Sequence, residues 1–405
     1  MTFIEGGVCA PAGFTANGIL CGIKKGRTKN DIALIESEVP CAAAAVFTKN
    51  LVKAEPVKLT MKHLKNGSAQ AIVANSGNAN ACTGEEGYAA AERTTAAAAK
   101  WLGLKSEDVL VCSTGVIGQQ INVAAIEAGM ERLCSGLSKS GNVAAREAIM
   151  TTDTKHKEAA VQVEIGGKTV TLGTMAKGSG MIHINMGTML GFITTDCAIT
   201  PRMLDAALRE SIEKTYNCVS VDGDTSTNDT LSILANGLAG NRLISSKTAD
   251  YRAFVKALDA LNTEMARKIA ADGEGATHLI ECAVLGAKND RTARTLAKSV
   301  ISSSLVKAAF FGKDANWGRI LCAMGYSGEL FGQAGTSVFF NSGSGEIEVF
   351  HKGVPLSFDE EKAKTILGES EVRIRVELSD GKGSGTAWGC DLTYDYVKIN
   401  GDYRT

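Results

Sequence analysis

Proline is scarce, with 5 in 405 residues, and aromatic residues make up only 5% of the chain. So few prolines leave no proline-rich linker to divide the chain into stiffly spaced parts. Long hydrophobic runs are missing. No stretch approaches the roughly 18 uninterrupted apolar residues of a membrane-spanning helix, so no membrane partner is expected. A surplus of positive charge is missing as well: 43 Lys and Arg stand against 44 Asp and Glu, for a formal net charge of −1. Without a basic excess to neutralise phosphates, nucleic acid is not an expected partner. The first residues, MTFIEGGVCAPAGF, place Glu5 where a secretory signal would carry basic residues and then an apolar run. The expected location is the cytoplasm.

Cysteine is present, but its usual patterns are not. The 11 cysteines are an odd number, scattered from Cys9 to Cys390, and no two form a C-x-x-C pair. A disulfide framework is not expected in a long chain without an export signal. The thiols read as reduced, mostly buried small hydrophobes. The five histidines, His63, His156, His183, His278 and His351, are far apart and form no H-E-x-x-H motif. No metal and no organic cofactor is expected. GGKT at 166–169 matches the end of a phosphate-binding loop, but Gln162 stands where the loop's first glycine belongs, so a hairpin turn is the reading.

What the chain does have is length, glycine and enough apolar residues for a sizeable core. It carries 44 glycines, and 44% of its residues are hydrophobic. Its length suits two domains or one large layered one. Strands are expected at 18–23, 31–35, 69–75, 108–112, 160–173 and 188–199, and helices at 87–102, 122–137, 141–149, 201–216, 247–272 and 290–310. Thr200 is the expected cap of the helix that Pro201 opens. The end of the chain alternates at EIEVFHKGV, EVRIRVEL and CDLTYDYVKIN, which predicts antiparallel hairpins with a turn at Asp380-Gly381. Strands and helices come in blocks rather than in strict alternation. That favours an α+β fold, layered α/β/β/α, over a doubly wound sheet. DGDTSTNDT, with Asp222, Asp224 and Asp229, does not fit the calcium-loop spacing and reads as hydrogen-bonded turns at strand ends.

One segment offers chemistry. Lys177-Gly178-Ser179-Gly180 opens a glycine-rich polar loop that runs through Gly187 into an apolar strand beginning with Thr188. Threonine at a strand start is ordinary, because β-branched residues favour strands. The arrangement nonetheless permits a reaction. The Thr188 hydroxyl can attack the preceding Gly187 carbonyl, which no side chain blocks. The ester so formed is cleaved by water, and Thr188 gains a free α-amine. With a pKa of roughly 7.7–8.0, that amine can serve as general base for its own hydroxyl.

The whole chain resembles the ornithine acetyltransferase family, also called the bifunctional glutamate N-acetyltransferases or the arginine biosynthesis protein ArgJ family. The resemblance rests on GGVCAPAGFTANGILCGIK, NSGNANACTG, STGVIG, MTTDT, KGSGMIHINMGTML, DGDTSTNDT, DGEGATH, KDANWGRI and YVKINGDYRT, nine blocks in order. It implies a self-cleaving fold shared with DmpA-like enzymes. The cut falls between Gly187 and Thr188, giving an α chain of 1–187 and a β chain of 188–405. Thr188 is implied as nucleophile and Thr114 with Gly115 as oxyanion hole. Thr151, Lys177, Thr188, Glu274, Asn400 and Thr405 are implied as substrate-binding residues. The implied reaction is ping-pong transfer of acetyl from N2-acetyl-ornithine to glutamate within arginine biosynthesis, with acetyl-CoA as co-substrate in some members. An α2β2 assembly comes with the resemblance. The alternative is a related self-cleaving aminopeptidase or amidohydrolase that gives the acyl group to water. Because Thr405 is implied to bind, the C-terminal tail is expected to be docked and ordered, although termini commonly fray.

Two positions depart from the family pattern. Ile184 stands where members commonly have proline, and Gly187 where they have alanine. Neither change removes a reacting group, but both loosen the backbone around the scissile bond. Gly187→Ala is therefore expected to mature at a different rate from the natural chain, timed by gel; equal rates would reject a role for this glycine.

Overall fold

The computed structural model describes residues 1–23, 26, 28–184 and 189–402. Among these, two mixed sheets and the helices packed on them make an α+β fold, as expected. The larger sheet runs in the order Thr2–Ile4, Lys157–Ile165, Lys168–Lys177, Leu190–Thr195, Thr230–Ala235, Ile32–Phe47, Ser68–Asn78, Val109–Val116, with Phe14–Ile19 also paired to Ile32–Phe47. The second sheet runs Val354–Pro355, Gly345–His351, Ser337–Ser342, Glu371–Glu377, Leu279–Ala287, Gly383–Cys390, Val219–Thr225, Ile182–His183.

Strict alternation in the large sheet sorts its side chains onto two faces. Ile72, Ala74, Leu110 and Cys112 enter one apolar cluster with Ala145 and Ala148 of helix Asn142–Ala148. Their neighbours Ala71, Val73, Val109 and Val111 enter another, under helices Gly84–Leu102 and Val123–Ser135. A third and larger cluster joins the two sheets. Helix Ala249–Ala271 lies in it, against Lys157–Ile165 on one side and Gly383–Cys390 on the other. Among the described residues no helix is long and apolar enough to cross a membrane.

Local chemistry explains most boundaries. Gly166 and Gly167 take φ of +58° and +75°, the two left-handed residues of a tight hairpin, and join Lys157–Ile165 to Lys168–Lys177. The Thr200 side chain accepts from the Met203 N–H and caps helix Pro201–Ile212. The helix expected over 290–310 is two helices, Asp290–Ser302 and Ser304–Phe311. Ser303 leaves helical geometry (ψ 116°) and accepts from the Val306 N–H to start the second. Serine's readiness to bond nearby backbone groups makes it a natural break point.

Two expectations are corrected. Residues 390–400 are not a strand: Gly383–Cys390 ends there, and Tyr394–Asp402 is a helix. Its alternating Tyr, Val and Ile mimic a strand, but no residue of the helix is buried, so no apolar face supplies the helical period in the sequence. Nor is Asp380-Gly381 a hairpin turn. Glu371–Glu377 and Gly383–Cys390 lie on opposite sides of Leu279–Ala287, the first parallel and the second antiparallel to it. The Asp380 and Gly381 N–H groups both donate to the Gly286 carbonyl as the chain passes over that strand's end.

Removing the Thr200 cap should cost about 1 kcal/mol. Thr200→Ala is thus expected to lower the melting temperature by a few degrees in thermal unfolding and to leave activity unchanged.

Candidate active site

Six of the residues singled out in the sequence, Thr114, Gly115, Thr151, Lys177, Glu274 and Asn400, line one cleft with a cavity volume of about 130 Å³. They arrive from five separate segments. Gly187, Thr188 and Thr405 lie outside the described residues. Met189 and Leu190, which directly follow the nucleophile position, line the same cleft.

Thr114 and Gly115 close strand Val109–Val116, which runs parallel to Ser68–Asn78. Gly115 sits at φ +134°, and a Cβ there would come within 2.4 Å of the Gly77 carbonyl carbon. Only glycine fits. The adjoining strand end is pinned from below. Asn228 donates from Nδ2 to the Ser113 and Ala79 carbonyls at 2.8 and 2.6 Å, and the Ser113 hydroxyl donates to Asn75 Oδ1 at 2.5 Å.

Thr151 and Lys177 share a buried charge cluster. Asp153 Oδ2 accepts the Thr151 N–H at 3.1 Å, while Oδ1 accepts the Gly178 N–H and the Lys157 ammonium, each at 2.7 Å. Lys157 also donates to Asp272, which holds the Thr154 and Lys155 N–H groups at 3.1 Å. Burial alone would raise the Asp153 carboxyl. Lys177 and Lys157, with the Gly178 N–H, outweigh burial and bring it down to about 2. Lys157 is 1% exposed, so this cluster is an internal strut that fixes the loop carrying Thr151 against the strand carrying Lys177.

Glu274 faces them. Its N–H donates to the Ser179 carbonyl at 3.0 Å, and its Oε2 accepts from Asn400 Nδ2 at 2.8 Å. A Cβ on Gly180 would meet the Glu274 carboxyl carbon at 2.3 Å, so the glycine-rich loop makes room for this carboxylate. Gly275, at φ +69°, lets the backbone of Tyr396 approach closely. The helix Tyr394–Asp402 is tied to the cleft by Asn400, and the expected docking of the tail at Thr405 lies outside the described residues.

Asp222, Asn228, Asp229 and Tyr396 are among the lining residues that had no catalytic or binding role in the sequence reading. The first three belong to DGDTSTNDT, and their motif was the signal. They are more than local turns. Asp222 accepts the Met181 and Ile182 N–H groups at 2.6 and 2.8 Å, about 40 residues away, and holds Met181 at a left-handed φ of +56°. Burial raises the Asp222 carboxyl, against the lowering effect of those N–H donors. Asp229 is fully enclosed. Burial drives its carboxyl well above the ordinary range, while the Ser226 hydroxyl, Lys177 and the Thr48 hydroxyl act the other way. His183, beside the cleft, has its imidazole pushed down to about 4 by burial and by Lys298.

A cleft that sets the Lys177 ammonium against Glu274, with Asp222, Asp224 and Asp229 also in its lining and a Thr-Gly pair beside the strand start, suits an amino acid that carries both charges. Fold and cleft together fit an enzyme that handles small polar molecules. The ArgJ family model matches residues 15–405. The arginine biosynthesis bifunctional protein ArgJ of Symbiobacterium thermophilum is 53% identical over 406 residues, covering 100% of each chain. The protein of the same name from Caldanaerobacter subterraneus is 50% identical over 405 residues, again covering 100% of each. The crystal structure of arginine biosynthesis bifunctional protein ArgJ from Bacillus halodurans is 46% identical, with a TM-score of 0.50, covering 52% of this chain and 98% of that one. The chain belongs to the ArgJ family, enzymes of arginine biosynthesis, and has that family's layered α+β fold.

The Asp153 shift carries a pH dependence. A carboxyl held at about 2, against an ordinary 3.8, stabilises the fold above 3.8, and that stabilisation is lost as pH falls from 3.8 to about 2. Asp153→Asn is expected to melt well below the natural protein at neutral pH, with the gap closing through that acid window. A gap independent of pH would refute the assignment.

Proposed function

We propose that the chain cuts itself between Gly187 and Thr188, giving pieces 1–187 and 188–405, and that Thr188 then carries acetyl from N2-acetyl-ornithine to glutamate. The observation that carries this reading is the convergence of six implied site residues on one cleft, which Met189 and Leu190 also line. The solved Bacillus halodurans chain adds support. It is matched over 98% of its length by 52% of this chain, close to the share that 188–405 represents.

The steps follow from the groups present. The Thr188 hydroxyl attacks the Gly187 carbonyl, the peptide becomes an ester, and water releases the 1–187 piece with its new carboxylate. The α-amine so created takes the hydroxyl proton when Thr188 attacks the acetyl carbonyl of the donor. Thr114 and Gly115 stabilise the tetrahedral oxygen. Ornithine leaves with the proton on its nitrogen. Glutamate enters, its amine attacks the acetyl ester, and Thr188 is regenerated. Lys177 pairs with the substrate α-carboxylate. Glu274, oriented by Asn400, takes the ornithine ammonium, and Thr151 and Thr405 complete the binding set. No metal or organic cofactor takes part in these steps. The relatives are named bifunctional, so acetyl-CoA is the second donor to assay. An α2β2 assembly in the cytoplasm belongs to the same reading and rests on the family resemblance.

A self-cleaving hydrolase on the same scaffold would share the nucleophile but pass acetyl to water. Mass spectrometry of the purified protein should find two pieces, one starting at Thr188, and Thr188→Ala should stay whole and inactive. Acetyl should appear on glutamate rather than as free acetate. Thr114→Ala should lose about 10²–10³ in kcat, the usual worth of one oxyanion donor. A single uncut band that still transfers acetyl, or acetate as the main product, would overturn the proposal.

A further inference from the structure

The chain changes sheets across the scission point. Upstream, Ile182–His183 pairs with Val219–Thr225 in the second sheet, and the Ile184 N–H donates to the Val219 carbonyl at 3.1 Å. Downstream, Leu190 pairs with Thr230 in the large sheet, and the Met189 carbonyl accepts the Thr230 N–H at 2.9 Å. The last described backbone group before the junction is the Ile184 carbonyl, three residues ahead of Gly187, and the Lys298 ammonium donates to it.

Lys298 is an unusual donor for that task. It lies on helix Asp290–Ser302, which packs on Gly383–Cys390 and Leu279–Ala287. Burial and Lys49 disfavour its charge, Cys218 and Glu213 favour it, and the balance brings the ammonium down to about 8. Among the described residues no carboxylate forms an ion pair with it. A half-hidden cation without an ion-pair partner is costly unless its hydrogen bond does something.

We propose that Lys298 is a positioning residue for self-cleavage, clamping the Ile184 carbonyl so that the upstream arm of the junction is fixed when the Thr188 hydroxyl attacks Gly187. Intramolecular attack depends on holding the reacting atoms in one narrow geometry, and a slack arm on either side forfeits that advantage. The downstream arm is fixed by strand pairing alone. The upstream arm is held by the short Ile182–His183 pairing, by Asp222 on the Met181 and Ile182 N–H groups and by the Ile184 N–H on Val219, and the clamp is the described side-chain bond to the Ile184 carbonyl, nearest the junction.

The inference rests on cleavage at 187/188. The test is the rate at which full-length chain disappears after synthesis, in the natural protein, Lys298→Met and Lys298→Arg. Methionine keeps the length and loses the donor; arginine keeps the donor. Losing one charged hydrogen bond should slow scission by about tenfold to a hundredfold in Lys298→Met, with Lys298→Arg restored to within a few-fold of the natural rate. Both substitutions are also placed in the uncut Thr188→Ala chain, where the melting temperature should stay close to that of Thr188→Ala alone. Equal scission rates for Lys298→Met and the natural chain would overturn the clamp. So would a melting loss that matches the slowing and that arginine fails to repair, since the lysine would then be packing only. If the natural chain is never cut, the reading of the preceding section fails instead.

Discussion

The covalent chain enters the reaction site from one sheet and leaves it in the other. Ile184 is bonded to the second sheet and Leu190 to the first, and one helix, Ala249–Ala271, packs against strands of both sheets. Everything else at the cleft answers to that constraint. Pairing to Thr230 fixes where the strand after the proposed nucleophile, Thr188, begins. Asp222 fixes the turn at Met181 that starts the approach. The proposed cut between Gly187 and Thr188 would leave the ladder on each side in place.

Burial and the neighbouring cations together set how the carboxyls around the cleft shift. Asp153 and Asp229 are both enclosed, yet one carboxyl is held down and the other driven up. Asp153 has two lysines and a backbone N–H within reach, and Asp229 has mainly hydroxyls. The Lys157 strut shows the cost and the return. A cation 1% exposed is tolerated because Asp153 and Asp272 both meet it, and in exchange two loops far apart in sequence are locked together. Lys177 and Glu274 present opposite charges in the cleft, beside Asp222, Asp224 and Asp229. A zwitterion can replace the water lost from both, which a singly charged ligand cannot do.

The two corrected elements show where local reading stops. Thr200-Pro201 and Gly166-Gly167 were legible because a cap and a primed turn act within a few residues. The helix Tyr394–Asp402 was not, because it buries nothing, and its position comes from Asn400 and from close approach to Gly275. Asp380-Gly381 looked like a hairpin because turn residues carry no information about which strand lies between their flanks. Asp222 and Asp229 were noticed as a motif but read as turns. Their partners lie in other segments, and a carboxylate's neighbours cannot be counted along the chain.

Composition and pattern alone determined the class of this protein: a layered α+β chain without a membrane-spanning run or a basic surplus, with a glycine-threonine junction whose chemistry could be written from two residue types. Covalent reactivity is local, so it survives in sequence. Tertiary structure decided which charges are free and which are struts, that Thr114, Lys177, Glu274 and Asn400 share one cleft, and that a lysine on a distant helix holds the carbonyl of Ile184. Those are through-space facts, set by packing and by the loss of solvent on burial, and neither is encoded at any single position.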